Sequence, residues 1–274
     1  MKFKDKEVDF SVPKVTGVIN VTPDSFYDGG RIKDDRDLLE AAEKMLGEGA
    51  DFLDVGGCSS RPGATEVSPE EEKQRVVPAI KRVARKFPGA VISVDTFRAE
   101  IAAAAISAGA AFVNDISAGD DDPEMFSTVA KLQVPYIAMH RQGKSATMQK
   151  NPTYQDVVGE IFSYLRDKVE KLRLLGIENV IIDPGFGFGK TLEHNYVLLK
   201  RLGEFKKIGA PVMVGLSRKS MIQRVLDVPA DDALNGTTAA NLLALLAGAD
   251  ILRVHDVKPA KEMIAIFGQF KKAK

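Results

Sequence analysis

The chain has 274 residues, 45% of them hydrophobic and 28% charged, and its 38 basic side chains balance 38 acidic ones. That balance provides no basic face for a polyanion, so nucleic acid is not expected as a partner. A single cysteine, Cys58, excludes an intramolecular disulfide framework, and the charge-free run 236–249 falls short of the ~20 residues that span a bilayer. The first seven residues alternate charges and lack the apolar core of a secretory signal, so a cytoplasmic protein is expected.

In chain order, eight short Val/Ile-rich runs read as strands: 14–21, 52–55, 91–95, 112–116, 135–139, 180–183, 211–216 and 251–255. They are mostly uninterrupted by charge until near their ends, as expected of parallel strands buried on both faces. Between and after them lie helix patterns at 38–46, 69–87, 98–108, 123–132, 154–175, 192–207, 233–247 and 258–270. Ser68 before Pro69, with Glu71 three residues on, combines an N-cap, a first-turn proline and a capping-box glutamate. Asp122 before Pro123 repeats the cap-then-proline order, and Gly109 and Gly176 sit just past helix ends. No linker or charge block interrupts the series, so residues 1–274 read as one domain. Eight β/α units of this total length predict an α/β fold, a (β/α)8 TIM barrel with its site at the C-terminal strand ends. A doubly wound sheet is the alternative.

The strand ends carry the chemistry. Asn20 is an amide inside an apolar run, either a strand-end cap or a ligand contact. The second strand ends in Asp54 and leads to Cys58-Ser59-Ser60-Arg61-Pro62-Gly63, an anion-binding type of loop with Arg61 as the charge-assisted donor. Asp54 reads as a supporting carboxylate and Cys58, with no histidine or second cysteine at useful spacing, as a non-catalytic thiol. Asp95, Asn114 and Asp183 close the third, fourth and sixth strands, where a carboxylate is costly unless solvated or paired. Lys219 follows the seventh strand, and Arg253 and His255 at i, i+2 share one face of the eighth. Three histidines without metal-ligand spacing make a zinc site unexpected.

The stretch Asp183-Pro184-Gly185-Phe186-Gly187-Phe188-Gly189-Lys190-Thr191 invites reading as a phosphate loop, but Pro184 occupies the position that motif gives to its first glycine. Even glycine spacing also fails the dinucleotide fingerprint. Asp183, Asn114 and Lys219 instead match the edge of a guanidine-like heterocycle, and Asn20, Arg61, Arg253 and His255 match a pyrophosphate.

Asn20-Val21-Thr22-Pro23-Asp24-Ser25-Phe26, Asp54-Val55-Gly56-Gly57 with Arg61-Pro62-Gly63, Ser93-Val94-Asp95-Thr96 and Val113-Asn114-Asp115-Ile116 resemble successive signatures of the dihydropteroate synthase family. The 183–191 stretch, Ser217-Arg218-Lys219-Ser220 and Arg253-Val254-His255-Asp256-Val257 continue the series. The resemblance implies a homodimeric transferase of folate biosynthesis, a sulfonamide target that joins 4-aminobenzoate to 6-hydroxymethyl-7,8-dihydropterin diphosphate with Mg2+. It implies that Asp95, Asn114, Asp183, Lys219 and Met139 hold the pterin, and that Asn20 meets the metal. Arg61, Arg253 and His255, with Asn20, would take the pyrophosphate, while Phe26, Ser60, Pro62, Phe188 and Ser220 frame the aminobenzoate. Asp95, Lys219 and Arg253 are the expected catalytic residues, and Lys190 a secondary candidate.

Cys58 stands where the family commonly has glutamate, Ser60 where it has threonine, and Arg141 where it often has an apolar residue; Arg141 is expected to point to solvent. The alternatives are a methyltetrahydrofolate-dependent methyltransferase, which shares the pterin set but has no use for a pyrophosphate rim, and a non-catalytic pterin-binding protein.

Overall fold

The structure, a computed structural model, describes residues 1–21, 35–58, 67–143, 148 and 151–273. It opens with a small antiparallel hairpin, β1 (Lys2–Phe3) and β2 (Lys6–Glu7). The apolar runs then form β3 (Lys14–Asn20), β4 (Phe52–Gly56), β5 (Ile92–Asp95), β6 (Phe112–Asp115) and β7 (Tyr136–Met139). They continue as β8 (Val180–Asp183), β9 (Met213–Val214) and β10 (Ile251–Val254). These eight pair in parallel in the order β8-β7-β6-β5-β4-β3-β10-β9. A parallel bridge from Ile182 to Val212, the residue before β9, joins the two ends. The sheet is therefore a closed β/α barrel rather than an open doubly wound sheet.

Side-chain alternation along each strand sorts residues between barrel interior and helix layer. In β4, Leu53 and Val55 pack into the helix-facing core, while Phe52 joins an interior cluster. Phe112, Ile137, Ile181, Met213 and Ile251 occupy the matching interior positions of their strands. Two residues further along, the same interior parity delivers Asp54, Asn114, Met139, Asp183 and Arg253. The barrel thus has an apolar floor and, one layer up, a polar ceiling.

Phe3 plugs the floor. It is 1% exposed, and its ring lies 5.0 Å from both Phe52 and Phe112. The first seven residues read only as alternating charge in the sequence, because two-residue strands are too short to show a period.

The surrounding helices are α1 (Asp35–Gly47), α2 (Pro69–Lys86), α3 (Ala99–Ala108), α4 (Met125–Leu132), α5 (Val157–Leu174), α6 (Leu192–Lys200), α7 (Ser220–Leu226), α8 (Leu234–Leu246) and α9 (Val257–Lys272). Ser68 caps α2 as expected, accepting from the Glu71 amide at 3.2 Å, but the Glu71 carboxylate pairs with Arg75. Asp122 Oδ1 accepts the Glu124 amide at 2.9 Å at the entry to α4, but the helix itself starts two residues later than the cap-then-proline pattern implies. The N-cap of α4 is Glu124, and Asp122 Oδ2 accepts the Ala99 amide of α3 at 2.7 Å. The pattern at 192–207 divides into α6 and a 3-10 segment, Leu202–Ile208, and α7, at seven residues, is too short to show a periodicity in the sequence. No described helix is long and apolar enough to cross a membrane.

Removing the Phe3 ring should lower unfolding stability by about 3–5 kcal/mol, the cost of emptying a well-packed aromatic site. Urea denaturation of Phe3→Ala checks this; an unchanged midpoint would show that the floor closes without the plug.

Candidate active site

The polar ceiling is organised by Asp54, which is fully buried. Its Oδ1 accepts from Ser93 Oγ at 2.5 Å, and its Oδ2 accepts from Asn114 Nδ2 at 2.9 Å and Arg253 Nε at 2.7 Å. A buried carboxylate needs such partners to remain charged. The Arg253 guanidinium also donates from Nη2 to Asp95 Oδ2 at 2.8 Å. One arginine from β10 thus ties together carboxylates from β4 and β5. Burial, with repulsion from Asp54, pushes the Asp95 carboxyl up to about 7, and Arg253 opposes that rise. Arg253 is therefore not a solvated rim cation, and Asp54 is the hub of the layer. Its interior parity with Phe52 was the signal in the sequence that could have identified it.

Asp183 ends β8 in a second cluster. Its Oδ1 accepts the Gly185 amide at 2.7 Å. Burial raises its pKa, opposed first by the Lys219 charge and then by that amide, Arg253 and Lys190. Lys219, the N-cap residue of α7, donates to the Phe186 carbonyl and places its ammonium 4.7 Å from the centre of the Phe188 ring. Burial lowers the Lys219 pKa to about 8, and Asp183 works against that shift. Met139, 4% exposed, ends β7 close to the loop.

The glycines of the 183–191 stretch now have a geometric reason. Gly185 has φ +71°, and a Cβ there would lie 1.8 Å from the His140 carbonyl oxygen. At Gly189, φ is +64° and a Cβ would lie 2.4 Å from the Gln142 carbonyl oxygen. These residues let the loop pass against the backbone that follows β7, which no side chain would allow. Lys190 turns inward beneath the loop and is 3% exposed.

The other expected residues are distributed as follows. Asn20 ends β3 opposite Gly56, and His255 follows the adjacent β10, with Nδ1 3.0 Å from Ser217 Oγ. Ser220 is exposed at the first position of α7. Phe26, Ser60, Arg61 and Pro62 lie outside the described residues. Cys58 Sγ is 3.7 Å from an Arg98 nitrogen, and burial pushes its thiol up to about 12, consistent with an unreactive thiol. His194 sits in the first turn of α6, completing a capping box with Thr191. Arg141 corrects the expectation of a solvent-facing side chain: only 7% exposed, it is ion-paired with Asp121 of the β6–α4 loop. An aspartate 20 positions upstream gave no local signal of that pairing.

Carboxylates, an amide and a lysine thus gather at one barrel mouth. Residues 16–255 match the family described as pterin binding enzyme, and the chain belongs to that family. Within it, the chain is similar to dihydropteroate synthases. It is 45% identical over 265 residues to the enzyme of Haemophilus influenzae, covering 96% of each chain. The Yersinia pestis dihydropteroate synthase, solved as a sulfonamide drug complex, superposes with a TM-score of 0.96 at 40% identity, covering 100% of this chain and 99% of that one. The Xanthomonas albilineans dihydropteroate synthase, solved with 7,8-dihydropteroate, gives a TM-score of 0.85 at 36% identity, with 97% of each chain covered.

Arg253→Met should leave Asp54 buried without its counter-charge and cost about 3–5 kcal/mol of stability. The same change should raise the Asp95 pKa above its value of about 7, because Arg253 is the charge that lowers it. Carboxyl-carbon NMR titration reads that shift; an unmoved or lowered Asp95 pKa would contradict the network.

Proposed function

We propose that this chain catalyses the dihydropteroate synthase reaction, joining 6-hydroxymethyl-7,8-dihydropterin diphosphate to 4-aminobenzoate with release of pyrophosphate. The observation that carries the reading is the buried Asp183 carboxylate at the end of β8, with the Lys219 charge favouring its ionised form, in a chain that matches dihydropteroate synthases over nearly its whole length. Asp183 Oδ1 is occupied by the Gly185 amide, and Oδ2 is assigned to the N–H edge of the pterin. Asn114 commits its Nδ2 to Asp54, which leaves its carbonyl oxygen as an acceptor for the ring. Lys219 donates to the ring carbonyl or nitrogen, and Met139 closes the pocket behind.

The methylene C–O bond breaks first, and pyrophosphate leaves with the electron pair. The cationic pterin left behind lies beside Asp95, whose ionised form stabilises it. The aryl amine then attacks the methylene, forms the C–N bond and gives up a proton to solvent. Asn20, Arg61, Arg253 and His255 are assigned to the pyrophosphate. Arg253 brings the N–H groups not used by Asp54 and Asp95. Phe188, Ser220, Phe26, Ser60 and Pro62 are assigned to the aminobenzoate, the group a sulfonamide would mimic.

Among the described residues no group of three or more His, Cys, Asp or Glu side chains could cage a metal. Asn20 is the residue that would hold, through its amide oxygen, a hydrated Mg2+, an ion that needs few protein ligands. When bound it would add positive charge on the leaving group.

We assign one domain to residues 1–274, a cytoplasmic location, and a homodimer built on the outer faces of α7–α9. Val225, Leu226, Leu243, Leu246, Ile266 and Phe270 are between 46% and 71% exposed there, the kind of apolar area that marks an interface. Leu243→Glu with Leu246→Glu should yield a monomer in sedimentation velocity; a dimer of unchanged mass would place the interface elsewhere.

The direct test is a pyrophosphate-release assay with the pterin diphosphate, with and without 4-aminobenzoate, together with identification of dihydropteroate. Asp183→Asn should weaken pterin binding by about 10–100-fold, the loss of a buried charge-assisted contact. Unchanged pterin affinity would remove Asp183 from the site.

A further inference from the structure

Lys190 is the most deeply buried lysine close to the site. Its Nζ donates to the Gly185 carbonyl at 2.8 Å and the Phe188 carbonyl at 3.0 Å and lies 3.1 Å from His140 Nδ1. In the tautomer with the ring proton on Nε2, Nδ1 accepts, and all three N–H groups of an ammonium are then used. His140 is itself fixed, buried after β7 with its ring edge-on to Tyr164 at 4.9 Å, and Tyr154 Oη donates to the Gly189 carbonyl at 2.9 Å.

We propose that Lys190, seated on His140, is a positioning residue for the pterin half of the site. It fixes the inner carbonyls of the glycine loop and thereby sets the loop groups that hold Lys219 on one side and the Asp183 carboxylate on the other. The inference rests on the function proposed above. Its geometry is a loop gripped from two sides. Lys190 takes the carbonyls of Gly185 and Phe188 from within, while Lys219 takes the Phe186 carbonyl and the Phe188 ring from the pocket side.

The backbone conformation makes an inner donor necessary. With positive φ at Gly185, Gly187 and Gly189, the loop turns carbonyls towards the protein interior, where unpaired acceptors are expensive. An apolar residue at 190 would leave the Phe188 carbonyl without its lysine donor and the Gly185 carbonyl with the Phe188 amide alone, at 3.2 Å. The loop could then relax only by moving Phe186, Phe188 and the Gly185 amide, which are the groups that hold Lys219 and Asp183. Burial drives the Lys190 pKa well down, with Asp183 opposing and Lys219 adding to the shift. A lysine is thus kept in this position at a cost, which a loop of no consequence would not require.

The test uses the full-length protein in steady-state kinetics and direct pterin binding, with far-UV circular dichroism and thermal melts to establish folding. Wild type is assayed first, and failure to form dihydropteroate would defeat the proposed function rather than this inference. Given an active wild type, Lys190→Met should raise the pterin Kd by about tenfold or more and the aminobenzoate KM by a clearly smaller factor, since Phe188 is the one loop group assigned to that substrate. His140→Leu, which removes the third acceptor, should act in the same direction by several-fold, and His140→Gln, whose side-chain oxygen can accept from Nζ, should recover much of that loss. Folded Lys190→Met with wild-type pterin affinity, or equal losses for both substrates, would overturn the proposal. If Lys190→Met does not fold, the His140 pair decides: equal pterin affinity in His140→Leu and wild type would overturn it, and so would a His140→Gln no better than His140→Leu.

Discussion

Asp54 carries a carboxylate into a position with no solvent exposure, between strands that are otherwise apolar. A charge there survives only if its lone pairs are filled and a counter-ion stands beside it. Ser93, Asn114 and Arg253, from three further strands, meet that demand. In doing so they fix the orientation of Asn114 and bring Arg253 within reach of Asp95. The barrel mouth is organised from its inside, by the need to neutralise one buried group.

The floor makes that arrangement affordable. Phe3, Phe52 and Phe112 fill the lower interior with ring contacts, so polar side chains are confined to one layer above. The same alternation that places Phe52, Phe112 and Ile181 in the floor places Asp54, Asn114 and Asp183 two residues on. Fold and site are thus one pattern read at two heights along the same strands. Confinement also explains the electrostatics. Asp95 is pushed up and Lys219 pushed down because both are held away from water, each tempered by an opposite charge.

The glycine loop after β8 is the second organising piece, and it shows why a sequence motif can mislead. Glycines followed by lysine and threonine suggest a loop built to receive phosphate. Here the glycines serve close backbone contact with the strand-end turn at His140 and Gln142, and the lysine faces inward. The charge that faces the pocket is supplied instead by Lys219, from a different β/α unit. That exchange of roles between two lysines could not be inferred from spacing.

Much was nonetheless legible in the chain alone. Eight largely apolar runs alternating with helix patterns predict a parallel β/α sheet, because strands buried on both faces stay apolar until they near the mouth. Aspartates and an asparagine at the ends of those runs mark the site for the same reason: polar groups there are costly unless used. Tertiary structure decided which of these groups meet. Asp54 became the hub, Arg253 a bridge between carboxylates, Lys190 an internal brace, and Arg141 the partner of Asp121. Pairing of this kind depends on residues brought together from separate strands and loops, and local sequence carries periodicity and end signals but no record of the distance between them. The inward direction of Lys190 was likewise set by carbonyls that only the folded loop turns towards the interior.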